Sequence, residues 1–156
     1  MLHPAAAHFA VSLPIISLIL GIAYLMKPSE LMSKISTRFM IFAMLFVFVA
    51  FFSGKEDGSE VYQYLSAEGK ELLIAHKDFA LYLVIGMSLA AIVKFFGCLR
   101  EAKKLELVAI ILVGLVSAGV LFQGKMGGEL TFTHGAHVEK HAEGLTCLKE
   151  AEEFAD

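Results

Sequence analysis

Four apolar stretches, each about as long as a bilayer is thick, constrain this chain more than any other feature. A hydrocarbon core of ~30 Å needs about 20 mostly apolar helical residues. Residues 5–26, 35–53, 77–99 and 105–123 each meet that length. The second carries the run Phe46-Val47-Phe48-Val49-Ala50-Phe51-Phe52, and the third holds Lys94 near its end, where a lysine can snorkel to the interface. The expected fold is therefore all-α: an integral membrane four-helix up-down bundle. It is expected to occupy residues 1–138, with a polar, acidic C-terminal tail over 139–156. A cleaved signal peptide is a poor reading of the first stretch. The start Met1-Leu2-His3-Pro4 lacks a basic segment, and no small-residue cleavage site precedes polar sequence.

Composition agrees with this reading. Of 156 residues, 57% are hydrophobic and 19% charged, against roughly 45–50% and about 25% in average soluble domains. That excludes disorder and argues against an ordinary soluble enzyme. A net charge of −3 gives no footprint for nucleic acid. Thirteen Phe and no Trp suit a lipid-facing surface, and the two cysteines, Cys98 and Cys147, make neither a disulfide scaffold nor a zinc site alone.

The connecting segments alternate in charge. Lys27, Lys34 and Arg38 follow the first stretch, and Arg100, Lys103 and Lys104 follow the third. The middle loop, Gly54 to His76, is rich in acids: Glu56, Asp57, Glu60, Glu68 and Glu71. The positive-inside rule then puts both termini and the middle loop outside, which in a bacterium is the periplasm. Gly86/Ala90 and Gly114/Ala118 are small pairs four apart that let helices approach closely in lipid. The acidic tail reads as a solvated end in preference to an amphipathic helix.

With this topology all six histidines fall on the outer side: His3, His8, His76, His134, His137 and His141. Pro4 suits the first turn of a helix and puts His3 beside its N-cap. His3 and His8 are five residues apart, about 140° around a helix, so they do not both ligate one ion from a regular helix; they serve two partners, or one is a ligand and the other its supporter. Ser66 is placed to cap a helix that carries His76 into the third span. The first and third helices lie diagonally opposite in an up-down bundle. His8 and His76 then sit at similar depth, as the two axial ligands of a haem require, and an ionisable residue near a membrane core suggests function by default. His3 and His134 are candidates for a second haem iron, provided the glycines of segment 124–135 fold His134 back over the bundle mouth near His3. His137 and His141, four apart, have chelate spacing, although a solvated tail is the plainer reading.

Several short motifs occur in order: His3-Pro4-x-x-x-His8-Phe9, Gly54-x-x-Asp57, His76, and Gly127-Gly128-x-Leu130-x-Phe132-x-His134-Gly135. Together they resemble the bacterial four-span membrane family catalogued as domain of unknown function 2231, over nearly the whole chain. The resemblance carries over His3, His8, His76 and His134 as the family's histidines. Members that look joined to Rieske or c-type haem domains imply redox work beside the membrane. Where the family often has Gly two residues after the His-Gly, this chain has His137.

The expectation is a membrane b-type cytochrome in the bacterial inner membrane, both termini periplasmic, with one or two haems b. Electron carriage is expected rather than a stand-alone enzyme activity. Its partners would be the lipid bilayer, a redox protein or the subunits of a respiratory complex, and a quinone. Two other classes compete. One is a non-haem copper or zinc protein using His3, His134, His137 and His141. The other is an accessory membrane subunit with no cofactor.

Overall fold

Each apolar stretch forms the centre of one long helix. The computed structural model describes residues 2–136. It contains α1 (His3–Met26), α2 (Glu30–Val61), α3 (Ala67–Leu99) and α4 (Lys103–Phe132), with one 3₁₀ turn, Tyr62–Tyr64, between α2 and α3. All four helices are long and apolar enough to cross a membrane. The tail 139–156, including His141, lies outside the described residues, as does His137 just before it.

Local chemistry sets the helix starts. Pro4 occupies the first turn of α1, where its missing N–H costs nothing. The Ser29 and Ser66 hydroxyls accept from the backbone N–H of Met32 and Gly69, each at 3.2 Å, and cap α2 and α3. The acidic middle segment is not a loop. α2 runs through Gly54 and Gly58 to Val61, and α3 begins at Ala67, nine residues before His76. Apolar contacts hold these extensions: Leu65, Leu130 and Ala136 form a small second core with Val61, Leu72 and Leu73.

The glycine-rich segment also differs from expectation. Gly124, Gly127 and Gly128 stay within α4, because a packed helix tolerates the ~1 kcal/mol that each glycine costs relative to alanine. The chain turns only beyond Phe132. Gly135 takes φ +68°, and the Ala136 N–H donates to the Leu130 carbonyl at 2.9 Å, as in a glycine-terminated helix.

The main helix contacts run α1–α2, α2–α3, α3–α4 and α4–α1. This leaves α1 diagonal to α3 and α2 diagonal to α4, as an up-down bundle requires. The interior is small and partly polar: Ala6, Ala10, Ser17, Ser36, Ala43, Ala50, Ala90, Ala91 and Ala109 are buried. The large side chains Phe9, Ile19, Phe42, Leu45, Phe52, Ile85 and Leu115 are exposed. A bundle in lipid packs this way, since apolar burial between helices gains little there and close backbone approach gains more. A Cβ at Gly86 would lie 3.0 Å from Val116, so that glycine does bring α3 and α4 together. At Gly114 the nearest atom is Leu18 Cδ1, at an ordinary 3.6 Å. Closer helix contacts fall at Gly119 against Leu83 (2.5 Å), Gly54 against His3 (2.6 Å) and Gly21 against Ile110 (2.8 Å).

One end of the bundle holds a buried ion pair. Lys94 does not snorkel. It is 0% exposed and donates to Glu106 Oε2, while the Ser33 hydroxyl donates to Glu106 Oε1 at 2.8 Å. The lysine Nζ also sits 4.6 Å from the centroid of the Tyr24 ring. A carboxylate on α4 draws the ammonium inward more strongly than the interface draws it out. The α3–α4 turn beside it is tight. A Cβ on Gly97 would meet the Glu106 backbone nitrogen at 2.9 Å, and Glu101 adopts φ 53°.

Candidate functional site

The opposite end carries the histidines, and the buried face of each helix determines which of them turn inward. On α1 the buried positions are Ala6, Ala10, Leu13, Pro14, Ser17, Gly21 and Tyr24. Stepping back three residues from Ala6 reaches His3. On α3 the buried face holds Leu83, Val84, Met87, Ala90, Ala91, Lys94 and Gly97, and two turns back from Leu83 is His76. On α2 the face runs through Val47, Ala50 and Ser53, and one turn on is Asp57. On α4 it runs through Val116, Ser117 and Val120, and the next position is Gln123. Four apolar faces thus end, at one mouth, in two imidazoles, a carboxylate and an amide.

The His3 Nδ1–H donates to the Ala50 carbonyl at 2.8 Å, with the Ser53 hydroxyl 3.4 Å from the same nitrogen. This fixes the tautomer and leaves Nε2 as a free acceptor nitrogen. The His3 ring lies against α2, where a Cβ at Gly54 would come within 2.6 Å of its Cε1. His76 approaches α4 in the same way. A Cβ at Gly127 would lie 3.3 Å from its Cε1, and Gln123 Nε2 donates to its backbone carbonyl at 2.8 Å. The two rings sit at the same end of the bundle on helices that lie diagonally opposite.

Three buried polar atoms at this mouth have no partner among the described residues: Asp57 Oδ2, His76 Nδ1 and Gln123 Oε1. Buried polar groups are almost always hydrogen-bonded. Such atoms are satisfied by side-chain rearrangement, by ordered water or by a bound group. Among the described residues, no group of three or more His, Cys, Asp or Glu side chains is arranged around a single point as a metal cage.

The other histidines lie elsewhere. His8 is exposed, and its Nδ1–H donates to the Pro4 carbonyl of its own helix at 2.6 Å, whereas His3 is half-buried on the face that holds Ala6. His134 packs against the start of α3, where a Cβ on Gly69 would lie 3.2 Å from its Cγ. His137 falls outside the described residues. Sequence reading missed Gln123 as a site residue and took Asp57 only as part of a motif. The usable signal was the stripe of small residues, which marks the interior face of a helix in lipid and continues onto these positions.

Fold and site define a four-helix bundle with membrane-spanning character and a polar histidine mouth. A family model described as predicted membrane protein, DUF2231, matches residues 1–140, and the chain belongs to that family. No curated protein and no solved structure matches it.

Proposed function

We propose that the histidine mouth binds haem b and that the chain carries electrons as a membrane cytochrome, with His3 and His76 as the axial pair. One observation carries this reading. Two imidazoles enter the bundle at one end from diagonal helices, and a backbone carbonyl orients His3 with its Nε2 free. Haem iron is held by such imidazole nitrogens, and a bound haem would supply a one-electron couple there. Gly54 and Gly127 leave out the Cβ atoms that would crowd the two rings. His8 and His134 stay outside this pair, and a second haem through His134 would need a partner other than His76.

In this reading the mouth faces the periplasm of a bacterial inner membrane, because the basic residues cluster at the other end. The electron partner is a redox protein, a respiratory subunit or a quinone. An open cleft of about 690 Å³ between α2 and α3, lined by Phe52, Gly54, Tyr62 and Lys77, backs onto the glycine that supports His3 and suits a quinone ring.

A second reading, a non-haem copper or zinc site at the same mouth, is favoured by the orphan oxygens of Asp57 and Gln123, which haem iron would not use. Replacing the histidines separates the two. His3→Ala and His76→Ala are each expected to lose haem from the purified protein, whereas His8→Ala keeps it. Full haem in both former variants would refute the assignment. Bound copper or zinc with no haem would establish the second reading.

A further inference from the structure

Two buried atoms at the histidine mouth that lack partners among the described residues belong to residues already hydrogen-bonded to each other. Gln123 Nε2 donates to the His76 backbone carbonyl at 2.8 Å. A carbonyl oxygen only accepts, so the amide orientation is fixed and Oε1 is the free end. That Oε1 is buried without a donor, and His76 Nδ1 is buried without a partner. One is an acceptor, and the other is a donor whenever it carries the ring proton.

We infer that Gln123 is the positioning residue for His76: its side-chain oxygen takes the Nδ1–H and its amide nitrogen holds the backbone of the same residue. The inference rests on the proposed use of His76 as a ligand. It gives His76 the counterpart of the Ala50 carbonyl at His3. Each ring is then held through Nδ1 and presents Nε2 inward. The two devices differ in kind, since Ala50 is backbone and cannot be lost by substitution, whereas Gln123 can. Lys77 and Asp78 flank His76 in sequence, His3 and Asp57 share its end of the bundle, and none of them hydrogen-bonds either orphan atom.

Nitrogen NMR of selectively ¹⁵N-histidine-labelled protein in detergent tests this with haem removed. The wild type is expected to show His76 with Nδ1 protonated and Nε2 bare. Gln123→Met, similar in length and apolar, is expected to lose that preference, and Gln123→Asn, one methylene too short, serves if the Met variant does not fold. In haem-loaded protein, loss of such an outer partner typically weakens metal affinity about 10–100-fold, so about a tenfold faster haem loss is expected. The midpoint potential should rise, because the ring becomes a weaker electron donor. An unchanged His76 tautomer in the variants would overturn the inference. So would a lowered thermal midpoint with tautomer, haem loss rate and potential all unchanged, which would make Gln123 a purely structural residue. If the protein binds no haem, the proposed function fails and the tautomer measurement still decides this point.

Discussion

The two ends of the bundle both bury polar groups, and they treat them in opposite ways. At the ion-pair end Glu106 has both oxygens occupied, by Ser33 and Lys94, and the lysine also lies over Tyr24. At the histidine end Asp57, His76 and Gln123 each keep a buried atom without a partner. Each pattern has its physical meaning. A fully satisfied network is finished and acts by joining helices, here α2, α3 and α4 around a turn with no room for a Cβ on Gly97. An unsatisfied one holds a desolvation cost of roughly 1–3 kcal/mol per group, which a bound group or ordered water would relieve. The lesson is to separate buried charge from unsatisfied polarity: Lys94 and Glu106, the most deeply buried ionisable residues among those described, belong to the satisfied end.

Substitution at the ion pair should produce the largest effect. Glu106→Leu or Lys94→Met alone leaves a buried charge without its partner and is expected to cost about 3–5 kcal/mol, read as a large fall in the thermal midpoint in detergent. The double variant should regain most of that loss, with haem content unchanged throughout. Haem lost in the double variant while the fold is retained would mean that the ion pair serves the site, and the contrast between the ends would break.

An intermediate effect is expected at Gly54→Ala. The added methyl would stand 2.6 Å from the His3 ring, and relieving such an overlap costs typically about 1–3 kcal/mol. Because the imidazole must move, haem occupancy should fall further than stability does. Normal occupancy would show that the His3 ring does not depend on this contact. The smallest effect is expected at Asp57→Asn. Its Oδ2 has no partner among the described residues to lose, and removing a carboxylate charge that carries a desolvation cost relieves part of that cost, so stability should not fall. A loss beyond about 1 kcal/mol, at the level of a hydrogen bond, would reveal a partner and make the histidine end as finished as the other.

How much of this was legible in the sequence depended on range. The four helices followed from the apolar runs, and the Ser66 cap followed from chemistry within three residues. The angular separation of His3 and His8 was also readable, but not which of them faces inward. That is set by rotation of α1 about its axis, and the rotation is set by packing against α2 and α4. The stripe of Ala6, Ala10, Ser17 and Gly21 carries the answer, because helices in lipid meet through small residues rather than through their most apolar face. The Lys94–Glu106 pair needed the close of the α3–α4 turn to bring two charges twelve residues apart together. The long run of α4 through three glycines was not readable, since glycine permits a turn without requiring one and tertiary packing decided the outcome.

The central claim is that the histidine end is a cofactor site. The most direct test is a visible spectrum of the detergent-solubilised protein, made with ample haem, recorded oxidised and reduced, with haem quantified per chain. The account predicts sharp reduced bands of low-spin haem at about one haem per chain, carried by His3 and His76. A featureless spectrum in both states would contradict it.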